Sequence, residues 1–269
     1  MSGMTILVTG STDGIGRQTA LELARRGHHV IVHGRSDARV VAVRDELRRA
    51  LEDARVDGVA FDLASLAAVR EGARKLLDQQ PTLHVLINNA GLFTHERKLS
   101  VDGHELTFAV NHLAHFLLTE LLWPRLEQHA PARVVNVSSQ AHQGGHIDLA
   151  DLERTRGYSG SAAYAASKLA NVLHASALAT RHDPARVTAN SLHPGVIETK
   201  LLREGWGGGG APLAQGARTS VHLAVDPALA GVSGRYFVDA REARPAAAAA
   251  DAKLREGLWA ASARLCGLT

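Results

Sequence analysis

Thr9-Gly10-Ser11-Thr12-Asp13-Gly14-Ile15-Gly16 closes the β-branched run Thr5–Thr9 and opens a segment with apolar residues at helical spacing, Ile15–Arg26. Small residues at such a junction let the backbone turn tightly and approach a ligand, while the first N–H groups of the helix stay unpaired. Those donors and the helix dipole favour an anion. At the first strand–helix junction of a chain, the anion expected is the pyrophosphate of a dinucleotide. Gly10, Ser11, Thr12, Asp13, Gly14, Ile15 and Gly16 are therefore the expected cofactor cradle.

Outward from this turn, short apolar runs alternate with longer helical patterns. The strands expected are Thr5–Thr9, His29–His33, Val59–Asp62, His84–Asn88, Arg133–Val137, Val187–Leu192 and Arg235–Val238. Between them, Ile15–Arg26, Arg39–Ala54, Leu66–Gln79, Gly103–Leu122 and Ser161–Arg181 repeat with helical period. This alternation predicts an α/β class: a single-domain Rossmann fold over 1–269, with a doubly wound parallel sheet of about seven strands and helices on both faces. The early strands are almost wholly apolar, as required when both faces of a sheet are covered. Two segments read as substrate loops, 140–160 and 200–220. The second contains Trp206 and Gly207–Gly210, which the glycines keep from forming a stable helix. Ala246–Ala250 reads as part of, or next to, a terminal helix.

The end of the second strand selects the dinucleotide. An acid there would bind the ribose 2′-hydroxyl and repel a 2′-phosphate. The chain instead has Val32-His33-Gly34-Arg35-Ser36, where Gly34 removes bulk and Arg35 offers a fork of donors to a phosphate. Arg17 is a second candidate charge, and Asp37 is the contrary sign. NADP(H) is expected in preference to NAD(H).

The totals bound the rest. Of 269 residues, 45% are hydrophobic and 21% charged, the balance of a soluble enzyme. The net charge of +3 is spread without a block of like charges, which argues against a nucleic-acid surface. The single cysteine, Cys266, allows no intrachain disulfide and fits a reducing, cytoplasmic setting. No apolar run approaches the ~18 residues of a membrane span, and the N-terminus lacks the pattern of a secretion signal. His142 and His146 have a two-ligand spacing, but Gly144-Gly145 works against a helix between them. They read as solvated loop residues, and no metal is expected.

Further motifs follow in order: Asn88-Asn89-Ala90-Gly91, Asn111, Ser138-Ser139, Tyr164-Ala165-Ala166-Ser167-Lys168 and Pro194-Gly195-Val196 through Thr199. With the glycine turn, this set resembles the short-chain dehydrogenase/reductase family over nearly the whole chain. Asn111-His112-Leu113-Ala114-His115-Phe116, Ser167-Lys168-Leu169-Ala170-Asn171 and the 25-residue step from Ser139 to Tyr164 resemble its retinol-dehydrogenase-like branch. That branch prefers NADP(H). The resemblance implies an oxidoreductase whose catalytic set is Asn111, Ser139, Tyr164 and Lys168. It implies further cofactor contacts from Asp62, Leu63, Asn89, Ala90, Gly91, Pro194, Gly195, Val196 and Thr199. It also implies an apolar alcohol, aldehyde or ketone substrate, and pairing into a homodimer or homotetramer through the helices carrying Asn111 and Tyr164.

The residue types suit hydride transfer. A phenol with a pKa of about 10 is scarcely ionised near pH 7, and lowering that value by about 3 units takes some 4 kcal/mol of preferential phenolate stabilisation. Lys168, one helical turn from Tyr164, is placed to supply part of it. Tyr164 is then the acid for reduction and the base for oxidation. Ser139 donates to the substrate oxygen, strand alternation turning Ser138 the other way. Asn111 resembles the family residue whose helix carbonyl holds a water connecting Lys168 to solvent. Asp62 is also a candidate N-cap for the helix at Leu66, and Asn88 a tie between strand ends. Trp206 and Trp259 suit an apolar pocket or the core. The competing reading is a non-catalytic protein that senses NADP(H).

Overall fold

The computed structural model describes residues 3–268. Seven parallel strands run β1 (Thr5–Val8), β2 (His29–Gly34), β3 (Val56–Ala60), β4 (Val85–Asn88), β5 (Ala132–Val137), β6 (Val187–His193) and β7 (Tyr236–Val238), and an eighth, β8 (Arg241–Ala243), lies antiparallel on β7. The spatial order is β3-β2-β1-β4-β5-β6-β7-β8. The order in which strands are added reverses between β1 and β4, which opens a crevice at the carboxyl ends of those strands.

Alternation along the strands builds two cores. Ile6, Val8, Val30, Val32, Val85 and Ile87 face one side, and Leu7, Ile31 and Leu86 the other. The first side is covered by α1 (Gly14–Arg25), α2 (Asp37–Ala50) and α8 (Leu213–Val225), through Leu23, Leu47 and Leu223. The second side is covered by α3 (Leu66–Gln79), α5 (Ala114–Gln128) and α6 (Gly160–Arg181), through Leu76, Phe116 and Leu173. The last helix, α9 (Ala252–Leu265), lies on α5 and α6: Trp259 packs 4.8 Å from Phe116, and His112 Nε2 lies 2.8 Å from Ser262 Oγ. No helix among the described residues is long and apolar enough to cross a membrane.

Several elements depart from expectation. β3 lies three residues earlier than predicted, because Asp57 and Gly58 hide a strand that pairing with β2 enforces, Val30 opposite Val56 and Gly34 opposite Ala60. The helix expected from Gly103 begins only at α4 (Leu106–Phe108), capped by Glu105, whose carboxylate accepts from Thr107 N at 2.9 Å and Phe108 N at 2.7 Å. It continues through a π-helical turn, Ala109–Leu113, into α5. Trp206 ends a short helix after all, α7 (Lys200–Trp206), and Gly207 closes it in the left-handed region at φ 84°. The second half of the 200–220 segment is α8, which packs on α1, with Ala217 and Val221 fully or nearly buried. Ala247–Ala250 forms a 3₁₀ turn just ahead of α9.

Candidate active site

The glycine turn is built by interlocking hydrogen bonds. Ser11 Oγ donates to Val8 O at 2.7 Å and accepts from His33 N at 2.8 Å, while Gly10 N donates to His33 Nδ1 at 3.1 Å. His33 can accept there only as the neutral ring, and burial pushes its pKa down to about 4. Gly10 has φ 65°, and a Cβ on it would lie 2.8 Å from Ala90 Cα; one on Gly16 would lie 2.4 Å from Asn89 Nδ2. The turn and the Asn89–Gly91 loop thus meet at distances no side chain tolerates. Asp13 caps α1 by accepting from Gly14 N at 2.8 Å.

Thr9 joins the two loops. Its hydroxyl accepts from Asn89 N at 2.9 Å and Ala90 N at 3.0 Å, and lies 3.0 Å from His115 Nε2. The other ring nitrogen of His115 donates to the Asn111 carbonyl at 3.1 Å. With Nδ1 carrying the proton, Nε2 accepts from Thr9. Burial keeps this ring neutral, its pKa pushed down to about 3. In the sequence Thr9, His33 and His115 stand inside quoted motifs without a role of their own; only their placement at strand ends and one turn past Asn111 hints at one. Asn88 ties strands as expected, donating to Asn136 Oδ1 at 2.9 Å and to Thr119 Oγ1 at 3.0 Å.

At the mouth of β2, Arg35 is exposed and has no ion-pair partner among the described residues. Gly34 makes room for Thr12, whose Cγ2 would lie 2.6 Å from a Cβ there. Arg39, one helical turn on and overlooked in the sequence, reaches Asp13 at 3.7 Å. Arg17 is committed elsewhere, to Glu46 of α2. Asp62 does not cap α3: Ser65 does, while Asp62 Oδ1 accepts from Ala64 N at 2.9 Å and stays exposed beside buried Leu63.

Tyr164 and Lys168 lie on α6, both buried. Lys168 Nζ donates to Val137 O at 3.0 Å and sits 5.6 Å from the Tyr164 ring centre. A Cβ on Gly91 would lie 3.3 Å from that Nζ and 3.5 Å from Asn111 Oδ1, so the lysine is pressed against the loop that follows β4. Asn111 Oδ1 also accepts from Leu92 N at 2.8 Å, and its Nδ2 donates to Ser167 Oγ at 3.0 Å. Burial pushes the phenol up to about 12, against a smaller opposing pull from the Ser139 side chain. The same burial lowers Lys168 to about 8. From the sequence Lys168 is expected to lower the phenol; in this geometry desolvation dominates, and the ammonium donates to Val137 O. Ser138 and Ser139 do point apart: Ser138 Oγ donates to Lys168 O at 2.7 Å, while Ser139 is half-buried at the end of β5.

Beyond β6, Pro194 and Gly195 (φ 97°) lead to exposed Val196 and to Thr199, which caps α7 by accepting from Leu202 N at 3.1 Å. His142 is not a solvated loop residue. It is fully buried, its Nδ1 donating to Ser139 O at 2.7 Å and its Nε2 accepting from Ala246 N at 3.0 Å. His146 is exposed. Trp259 packs the core, and Trp206 stands against Tyr164, ring centres 5.2 Å apart.

Comparison with known proteins gives the family and the fold. The short chain dehydrogenase family model matches residues 4–206. The chain is 42% identical to human retinol dehydrogenase 13, covering 99% of this chain and 85% of that one. Among solved structures, an uncharacterized protein from Mycobacterium Paratuberculosis superposes with a TM-score of 0.82 at 34% identity, covering 99% of this chain and 94% of its own. A structure described as an NAD(P) dependent gluconate 5-dehydrogenase from Beutenbergia cavernae, with bound NADP, gives 0.73 at 29% identity, covering 89% and 96%.

Proposed function

Since the chain belongs to the short chain dehydrogenase family, in its retinol-dehydrogenase-like branch, we propose that it is an NADP(H)-dependent oxidoreductase acting on the carbonyl or alcohol carbon of an apolar small molecule. The observation that carries this reading is the junction at Gly91. There the expected cofactor loop, Lys168 Nζ and Asn111 come within van der Waals reach, one helical turn from Tyr164.

The residues fit the cofactor. Gly10 and Gly16 leave no room for side chains, and Gly14 sits in the left-handed region at φ 55°, as a close backbone approach to pyrophosphate requires. Ser11, Thr12, Asp13 and Ile15 shape the rest of that turn. Asn89, Ala90, Gly91, Pro194, Gly195, Val196 and Thr199 would hold the nicotinamide side, and Asp62 and Leu63 the adenine. Arg35, free at the rim, and Arg39 beside it favour a 2′-phosphate, and the structural relative with bound NADP is consistent with that choice. Bound NADP(H) supplies or accepts the hydride.

In carbonyl reduction, Ser139 donates a hydrogen bond to the substrate oxygen as negative charge grows there. Tyr164 delivers the proton from its hydroxyl to that oxygen. A phenol held at about 12 keeps its proton through pH 7, the form this direction needs. Lys168 holds the nicotinamide ribose and lowers the cost of the phenolate that remains. Asn111, fixed by Leu92, Ser167 and His115, holds the helix carbonyl at the inner end of the site. The relative named as a retinol dehydrogenase supports an apolar substrate; retinol itself is not carried over.

The test is NADPH consumption with a panel of aldehydes and ketones, beside Tyr164→Phe. The variant should bind NADPH as wild type does and lose about 10²- to 10⁴-fold in kcat/KM. An equal rate in the two proteins would sink Tyr164 as the proton donor. Tight NADPH binding with no turnover in wild type would instead favour a sensor.

A further inference from the structure

The turn that follows Ser139 is gripped from behind. Ser139 ends the β5 run in extended backbone, φ −159° and ψ 158°, and the 3₁₀ turn Gln140–Gly144 follows. Its hydroxyl accepts from Ala141 N at 3.2 Å, which leaves its own proton to donate. The peptide between Ser139 and Gln140 meets an imidazole at each of its polar ends. His142 Nδ1 donates to the Ser139 carbonyl at 2.7 Å, joined there by His142 N at 3.1 Å. Gln140 N donates to His193 Nδ1 at 3.1 Å.

His142 has no freedom left. Its Nε2 accepts from Ala246 N at 3.0 Å, and Tyr236 packs against the ring, centres 4.7 Å apart. A ring that donates at one nitrogen and accepts at the other is neutral and has a single tautomer. His193 is 7% exposed and accepts at Nδ1, so its proton sits on Nε2. Burial lowers both rings, His193 to about 4. At the far end of the turn, a Cβ on Gly145 would lie 2.7 Å from Ala165 O, so the turn is pressed against α6 beside Tyr164. The two rings thus tie one peptide plane to the end of β6, just before Pro194, and to the C-terminal segment at Ala246.

We propose that His142 and His193 are positioning residues, which aim the Ser139 hydroxyl at the substrate oxygen by holding the Ser139–Gln140 peptide plane. The inference rests on the function proposed above. With the plane fixed at both ends and Ala141 N on Oγ, the hydroxyl has one direction in which to donate. Losing such a donor outright costs about 10²- to 10³-fold in kcat, and mis-aiming it forfeits part of that.

The experiment uses amide side chains to keep one bond at a time. In His142→Asn the new N–H takes the place of Nδ1 and keeps the bond to Ser139 O. In His142→Gln the longer amide reaches only the place of Nε2 and keeps Ala246. With NADPH and decanal, an apolar aldehyde, His142→Gln should lower kcat about tenfold with KM within about twofold, and His142→Asn should stay within about threefold of wild type. His193→Leu should behave as the first and His193→Asn, whose Oδ1 accepts from Gln140 N, as the second. In a Ser139→Ala background His142→Gln should cost about twofold or less, since no hydroxyl is left to aim. A loss of equal size in both backgrounds overturns the proposal, because it marks His142 as structural only. If wild type reduces no decanal, the function is struck and the aim is read by crystallography. Ser139 Oγ should move by about 0.5 Å or more in His142→Gln or His193→Leu, and an unmoved Oγ overturns the inference whatever the turnover.

Discussion

The turn after β1 and the segment after β6 face each other across the site, and they are held in opposite ways. Around Gly10, the Ser11 hydroxyl, the Thr9 hydroxyl and the His33 ring are each satisfied internally, and backbone meets backbone at Ala90. Around Trp206, a helix without a buried residue rests on two rings, Phe93 and Tyr164, and the Glu198 carboxylate holds the glycine turn behind it. On the proposed function, the first region meets the same phosphates in every turnover, so any freedom there costs affinity. The second must open for each substrate, so rigidity there costs rate.

Acid should break this contrast first and most severely. His33 and His115 are neutral in the fold, with pKa about 4 and about 3, while in the unfolded chain they titrate near 6.5. Between those values the unfolded state binds more protons, so stability is full above about pH 6.5 and is lost as pH falls toward 4. Each such ring can contribute about 3 kcal/mol to that loss. Thermal melts from pH 8 to pH 4 should show a flat Tm and then a steep fall. A Tm independent of pH down to 4.5 would contradict the neutral-ring network.

Gly10→Ala should come next. Its Cβ meets Ala90 at 2.8 Å on a backbone with φ 65°, and the strain should cost about 2 kcal/mol with a parallel loss of NADPH affinity. Calorimetric melts and NADPH titration check this together; a normal Kd would mean that the two loops need not touch. Arg35→Asp should cost about 1–3 kcal/mol in NADPH binding and move preference toward NADH. An unchanged preference would pass the selection to Arg39. The smallest effect belongs to the other region. Gly207→Ala, at φ 84°, should destabilise α7 by about 1 kcal/mol, visible as faster hydrogen exchange in 200–206 while the global Tm stays put.

Local pattern carried much of this architecture. The strand runs beginning at Thr5 and His29 are apolar enough to be recognised on their own, and the order of motifs from Gly10 to Thr199 names the family. What escaped the sequence was what distant segments impose. β3 contains Asp57 and Gly58, and only its pairing with β2 makes it a strand. β8 follows Asp239-Ala240, two residues at φ 49° and 60°, where a hairpin of this kind ordinarily advertises itself with glycine or asparagine. α8 lay hidden because its small buried residues, Gly216 and Ala217, suit a close helix contact rather than a conspicuous apolar stripe. At the site, Tyr164 and Lys168 were legible, whereas the direction of the phenol shift was not, since it depends on burial that only the assembled fold creates.

α9 has a consequence in the order of synthesis. Its Trp259 and Ser262 cover Phe116 and His112, residues translated about 140 positions earlier. Until that last helix leaves the ribosome, the sheet can be complete and yet one flank of α5 and α6 remains bare. During that interval the flank is open to chaperones or to sibling chains, so the nascent protein is at its stickiest before α9 docks.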